Sequence, residues 1–281
     1  MLNIFTTMLK TNVSSLALGC FDGMHLGHLK LVEHLDENGI LLVINKFKGK
    51  MLCSNTQKEE ISKKKVIELD FESIKSLEGK EFLDFLKKEF IHLKLIVVGY
   101  DFSFGKNRVY KAQDIELLSK IKTLIVDKFS IDGVAVHTSL IKDFLAKANL
   151  QKVKKFLGRN YSIKARVVKG QGLGSKELFA TINLECKDYF LPSNGVYASI
   201  LKSKNKIYKS VSFIGIRSSD DKFAIESHIL EHLNEKFSLD EVLELEFVDF
   251  IRENQKFKDL KKLKDQIAKD IHQAHSLLRG S

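Results

Sequence analysis

Four apolar runs punctuate the first half of the chain: LALGC (16–20), ILLVI (40–44), LKLIVVG (93–99) and TLIVD (123–127). Runs this uniformly apolar suit strands covered on both faces, as in a parallel sheet, because a half-exposed strand alternates polar and apolar residues. Parallel strands need crossover segments, and the intervening sequence has helical spacing at Leu26, Leu29, Val32 and Leu35, then at Phe82, Phe85, Leu86 and Phe90. This alternation predicts a doubly wound α/β domain, in which ligands bind beyond the carboxyl ends of the strands. Residues 19–28 and 99–108 fall at such ends.

The period changes in the second half. From about Tyr161, the short alternating stretches SIKARVV, GVYASI and SVSFIGI are separated by turn residues such as NG, KSKNK and SSDD, which reads as a small antiparallel β-barrel. Leu260, Leu263, Ile267 and Ile271 restore helical spacing between Asp259 and Leu278 and predict one closing helix. The change of period divides the chain into domains at 1–156 and 157–281. With 281 residues and 44% hydrophobic content, both halves can bury a core.

No apolar run approaches the roughly 18 residues that span a membrane, and the N-terminus lacks a basic segment followed by a long apolar one, so a cytoplasmic protein is expected. Cys20, Cys53 and Cys186 are scattered without CxxC spacing and suggest neither a disulfide framework nor a zinc site. The formal charge of +10 raises the question of a nucleic-acid partner. Its distribution argues against one: 25 Lys and Arg face 19 Asp and Glu through residue 156 (+6), and 21 face 17 after it (+4). Short runs such as KKK at 63–65 read as a solvated helix face. The positive field still favours anionic small molecules such as nucleotides.

The strongest local signal is GCFDGMHLGH, residues 19–28. A strand ending at Gly19 and a helix starting near His25 make a turn whose amides can receive phosphate. Two imidazoles three residues apart lie on one side of the helix start, where they can donate hydrogen bonds to phosphate oxygens as charge develops. Either histidine alone would be read as a cap or packing residue. The seven specified residues of G-x-F-D-G-x-H-x-G-H match by chance on the order of once per billion positions.

This segment resembles the nucleotidyltransferase signature of the prokaryotic bifunctional riboflavin kinase/FMN adenylyltransferase (FAD synthetase) family. VVGYDFSFGKNRVY (97–110) is similar to that family's V-G-x-D-F-x-F-G-x-x-R, pointing to Asp101, Gly105 and Arg108 in a ligand-facing loop, with Phe102 and Phe104 readable as core. The resemblance implies a Rossmann-like nucleotidyltransferase domain of the HxGH type that binds magnesium-ATP and joins AMP to FMN. His25 and His28 would contact phosphates, and Asp22 would order the loop or a metal. Gly19, Phe21, Gly23 and Gly27 would complete the loop. The family's S-S-T-x-I-R, expected to begin a helix, reads HTSLIK (137–142): Thr138 and Ser139 keep hydroxyls, and Lys142 replaces arginine, losing its planar fork. INKFKGK (44–50) stands where the family has T-F-x-P-H-P near the flavin.

LGRNYSI (157–163) resembles the L-G-R-P-Y that opens the family's riboflavin kinase barrel, and KGQGLGSKELFATINL (169–184) resembles G-x-G-x-G-R-x-L-G-F-P-T-A-N-L, with Ser175 at the arginine and Ala180 at the proline. Gly170, Gly172 and Gly174 could lie over ATP phosphates. By the resemblance, Thr181 and Asn183 serve a magnesium-ATP site, Glu226 in AIESHIL is the base that accepts the riboflavin hydroxyl proton, and Arg252 and Phe257 help close the flavin site. A carboxylate within a strand-like stretch is expected to point inward. The implied substrates are riboflavin, FMN and ATP, with Mg2+ as the metal. Two other readings stand beside this one: adenylyltransferase activity alone with a degenerate barrel, and an RNA-binding protein built on a nucleotidyltransferase-like fold.

Overall fold

In the computed structural model, which describes residues 12–45, 49–170, 179–204, 206–217, 220–231, 237–257 and 259–280, the chain forms two units, Met1–Thr138 and Ser139–Ser281. The first unit runs β1 (Ser15–Gly19), α1 (Leu26–Val32), β2 (Ile40–Asn45), α2 (Asn55–Ser62), β3 (Lys65–Asp70), α3 (Phe71–Ile74), α4 (Gly79–Glu89) and β4 (Leu95–Gly99). It continues through the hairpin β5 (Ser103–Phe104) and β6 (Tyr110–Lys111), then α5 (Asp114–Ser119), β7 (Lys122–Val126) and the hairpin β8 (Ser130–Ile131) and β9 (Val134–Ala135).

Five strands form a parallel sheet in the order β3-β2-β1-β4-β7. The strand order reverses between β1 and β4, and the crevice beyond their carboxyl ends is the switch point where such sheets bind ligands. Alternate residues of β1 enter opposite cores. Leu16 and Leu18 join Leu42, Phe82, Leu86 and Val98, whereas Ala17 joins Phe21, Met24, Leu31, Leu41 and Val97. Burial on both faces is why these strands read as unbroken apolar runs.

One strand departs from the sequence expectation. KKK at 63–65 is not a helix face: α2 ends at Ser62, Lys63 caps it in the left-handed conformation at φ 56°, and Lys65 opens β3. An edge strand keeps one side toward water, so only Ile67 and Leu69 are buried and no apolar run announces it.

Beginning at the last residue of the first unit, α6 (Thr138–Ala146) leads to α7 (Leu150–Leu157) and then to β10 (Tyr161–Val168), β11 (Ile182–Glu185), β12 (Gly195–Lys202), β13 (Ile207–Ile216), β14 (Phe223–Ile229), β15 (Val242–Glu253) and α8 (Leu260–Leu277). The six strands close into an antiparallel barrel ordered β10-β11-β14-β13-β12-β15. Its interior is filled, with the Phe247 ring 6.2 Å from Tyr161 and 5.4 Å from Tyr197, beside Ile163, Leu201, Leu243 and Leu245. A seam of buried hydroxyls links Ser210 to Ser199 (2.8 Å), Ser199 to Ser212 (2.6 Å) and Ser212 to Ser227 (3.0 Å), so each of these four hydroxyls has a partner. The closing helix covers the outer face of β12 and β13, where Ala274 and Leu278 meet Val196, Ala198, Ile200 and Val211.

The helices before β10 pack with the barrel. Ser193 N–H donates to the Leu145 carbonyl at 3.0 Å and the Gln151 amide donates to Asp249 at 3.0 Å. The units therefore divide at 138/139, whereas the hydrophobic period changes near 157. Among the described residues no helix is long and apolar enough to cross a membrane.

Candidate functional site

The loop that leaves β1 is built from strained residues held by burial. Phe21 (φ 51°), Gly23 (φ 85°) and Met24 (φ 40°) all adopt left-handed backbone. For a non-glycine residue that costs about 1–3 kcal/mol. Phe21 and Met24 are 1% and 0% exposed, and burying each side chain offsets it by about 1.5–3 kcal/mol, so the core fixes the turn. Gly19 lets the Phe21 ring pack closely, since a Cβ there would sit 3.3 Å from it and the ring would have to give by a few tenths of an ångström.

This turn delivers His25 to the N-cap of α1, where its Nδ1 accepts the His28 backbone N–H at 3.2 Å. An accepting Nδ1 places the proton of the neutral ring on Nε2, which is then a donor. The two imidazoles stack with centroids 3.6 Å apart and planes 14° from parallel, and the Phe21 ring meets His28 edge-on at 5.3 Å. Gly27 leaves room for the stack, because a methyl group there would lie 3.2 Å from His25 Nδ1. Asp22 ties the loop down: its Oδ1 accepts the Leu52 N–H at 2.6 Å, and its carbonyl accepts the Thr138 hydroxyl at 2.9 Å, at the first residue of α6.

In the second unit, β11 pairs with β14 so that Asn183 stands directly opposite Glu226. Glu226 does not point inward. Ile225, Ser227 and Ile229 are buried while Glu226 and His228 between them are half-exposed, so the carboxylate lies on the outer wall, where the filled apolar interior forces a charge to go. It is held there by the Arg217 guanidinium, whose Nη1 donates to Oε1 at 3.1 Å. Gly170 lies against the Asn183 amide closely enough that a Cβ would stand 2.2 Å from its nitrogen. Thr181 is exposed, immediately before β11. The expected phosphate glycines Gly172 and Gly174, with Ser175, lie outside the described residues. No group of three or more His, Cys, Asp or Glu side chains gathers to hold a metal ion among the described residues.

A model of the Flavokinase family, riboflavin kinase, matches residues 157–278. A Buchnera aphidicola (Acyrthosiphon pisum) protein named bifunctional riboflavin kinase/FMN adenylyltransferase is 29% identical over 289 residues, covering 92% of this chain and 91% of that protein. The Haemophilus influenzae protein of the same name is 27% identical, over 95% of this chain and 94% of its own. Along more than nine-tenths of its length the chain is thus similar to proteins named bifunctional riboflavin kinase/FMN adenylyltransferase. A Streptococcus pneumoniae crystal structure described as a macrolide-efflux protein superposes with a TM-score of 0.83 over 97% of this chain and 96% of that one. At 22% identity that likeness speaks to the fold alone.

The remaining residues singled out from the riboflavin kinase/FMN adenylyltransferase resemblance fall in several environments. Phe104 is core, packed 5.6 Å from Tyr110 and 6.0 Å from Phe82, while Asp101 and Arg108 are exposed around the β5–β6 hairpin. Gly105, at φ 72°, admits Tyr110, since a Cβ would come within 2.7 Å of that ring. Ser139 and Lys142 lie on α6 in the second unit, with Lys142 Nζ 5.7 Å from the Phe190 ring centroid. Arg252 is engaged by Asp270 of α8 at 2.7–3.1 Å and lies 5.9 Å from the Phe257 ring.

Two neighbours escaped the sequence reading. Lys58 of α2 is buried, and burial pushes its pKa down against the opposing pull of Cys53, Asp22 and Glu68; its ammonium donates to Asn55 at 2.9 Å. Arg217 precedes, and Asp220 lies within, a segment that reads only as a turn, SSDD, and nothing in its spacing announces a guanidinium aimed at Glu226.

Proposed function

We propose that this chain makes FMN from riboflavin and ATP in the barrel unit and FAD from FMN and ATP at the loop after β1. The observation that carries this reading is the match, over more than nine-tenths of the chain, to relatives named for both activities, with the stacked His25–His28 pair beyond the carboxyl end of β1.

In adenylyl transfer, an oxygen of the FMN phosphate bonds to the α-phosphorus of ATP, and the bond from that phosphorus to the bridging oxygen breaks, so that pyrophosphate leaves with the electron pair. The imidazole N–H groups supply donors where negative charge grows, and Phe21 and Gly27 hold both rings in place without a covalent intermediate. In riboflavin phosphorylation, Glu226 takes the proton of the primary alcohol while its oxygen bonds to the γ-phosphorus and ADP departs. Asn183 and Thr181 offer oxygen donors near Glu226, a set that suits Mg2+, a hard cation bound through few protein oxygens together with substrate phosphates. When bound, the ion offsets charge on the phosphates. We place both reactions in the cytoplasm, where thiols such as those of Cys20, Cys53 and Cys186 stay reduced.

The test is chromatography of products from magnesium-ATP with riboflavin and, separately, with FMN. FMN and FAD from the first and FAD from the second are expected; no product from either would end the flavin reading. His28→Ala should cut FAD formation by roughly two to four powers of ten and spare FMN formation, and Glu226→Gln should do the reverse. Equal loss of both activities in either variant would contradict the assignment of separate sites.

A further inference from the structure

A carboxylate on the outer wall of a barrel has rotamer freedom to lose before it can receive a proton from one particular direction. The structure restricts Glu226 through Arg217, the residue that follows β13. The guanidinium uses three of its nitrogens on two carboxylates: Nε and Nη2 donate to Asp220 Oδ1 and Oδ2 at 3.0 and 2.8 Å, and Nη1 donates to Glu226 Oε1 at 3.1 Å. Asp220 lies three residues on in the same turn, so this two-point pair sets the plane of the fork before the fork meets β14.

The backbone around Arg217 is fixed as well. Its N–H donates to the Lys222 carbonyl at 2.9 Å, its carbonyl accepts the Asp221 N–H at 3.2 Å, and the preceding Ile216 carbonyl accepts the Asn254 amide at 3.0 Å. The side chains of Arg217, Asp220 and Glu226 are only 17%, 19% and 23% exposed, which sets them apart from the freely solvated pair Lys256–Asp221 nearby, at 72% and 73%. Solvated pairs of that kind hold little in place.

We propose that Arg217 is a positioning residue for phosphoryl transfer, oriented by Asp220 and in turn fixing the Glu226 carboxylate beside Asn183; this rests on the kinase reading above. With Oε1 engaged, Oε2, to which the described residues give no hydrogen-bond partner, is the oxygen that takes the hydroxyl proton. Arg217 acts through Glu226, so its worth depends on Glu226 being there.

A double-mutant cycle reads that dependence. Arg217→Met should lower kcat for riboflavin phosphorylation roughly ten- to a hundredfold, the scale of a misplaced reacting group, with KM for riboflavin within about twofold and adenylylation of supplied FMN unchanged. In a Glu226→Gln background the same change should cost less than about twofold. Arg217→Lys, which keeps the charge but not the fork, should recover only part of the rate, and Asp220→Asn should lose less than Arg217→Met. The proposal is overturned if Arg217→Met costs the same factor in both backgrounds, leaves kcat unchanged, raises it, or lowers both activities together. Absence of FMN from the unaltered protein would instead bring down the kinase reading itself.

Discussion

Gly27 shows how tightly the loop after β1 is specified. Replacing it by alanine adds about 1 kcal/mol of helix propensity in α1, yet puts a methyl group 3.2 Å from His25 Nδ1 and moves the ring by a few tenths of an ångström. Gly27→Ala should therefore leave thermal stability unchanged or slightly raised while lowering FAD formation by roughly tenfold, and a paired melting and rate measurement checks both signs. This site was legible because its fixed residues are consecutive: cap, stack and close approach lie within GCFDGMHLGH. The other site was legible only in part. Asn183 and Glu226 are 43 positions apart and are brought together by a strand pairing, Arg217 reaches Glu226 from a turn, and Lys58 is recognised only by its burial. The inward expectation for Glu226 failed because it was argued from a lone carboxylate, whereas the buried Ile225, Ser227 and Ile229 settle the face for the whole strand.

Among the elements, those with a strong hydrophobic pattern were readable and the half-solvated strand β3 was not. Strands β1, β2, β4 and β7 and helix α8 follow from their apolar runs and from Leu263, Ile267 and Ile271, but β3 is half-solvated, and of its residues the sequence suggested only that Lys65 belongs to a solvated helix face. The closing helix is anchored to β15 by more than apolar contact. Asp270 is 5% exposed and carries the Arg252 guanidinium on both oxygens, with the Gln266 amide adding a further bond at 2.9 Å. Removing one partner of a buried pair strands the other, at about 3–5 kcal/mol when both are fully buried. Arg252 is 21% exposed, so Arg252→Ala should cost somewhat less, about 2–3 kcal/mol. Asp270→Asn, which keeps a hydrogen-bonding group and leaves an arginine able to reach water, should cost less again. Urea unfolding of the two variants checks the order.

At the scale of the molecule, the barrel carries an alkaline limit. Burial pushes the Tyr197 hydroxyl up to about 12 against a hydrogen bond with Ser193. A folded-state value above the unfolded one means full stability below about pH 10 and progressive loss as pH rises through 12, amounting to about 2–3 kcal/mol for a shift of this size. Tyr197→Phe should abolish that dependence, which the urea midpoint at about pH 9 and pH 11.5 would reveal. The same barrel is sealed by pairing its first strand with its last, Tyr161 opposite Phe247 across β10 and β15. During synthesis, therefore, β10 leaves the ribosome long before the partner that completes its ladder exists, whereas every strand of the parallel sheet has already emerged. The sheet can assemble while translation continues, but the barrel must wait for nearly the whole chain, and until then β10 is an open edge that a chaperone or a neighbouring nascent chain can occupy.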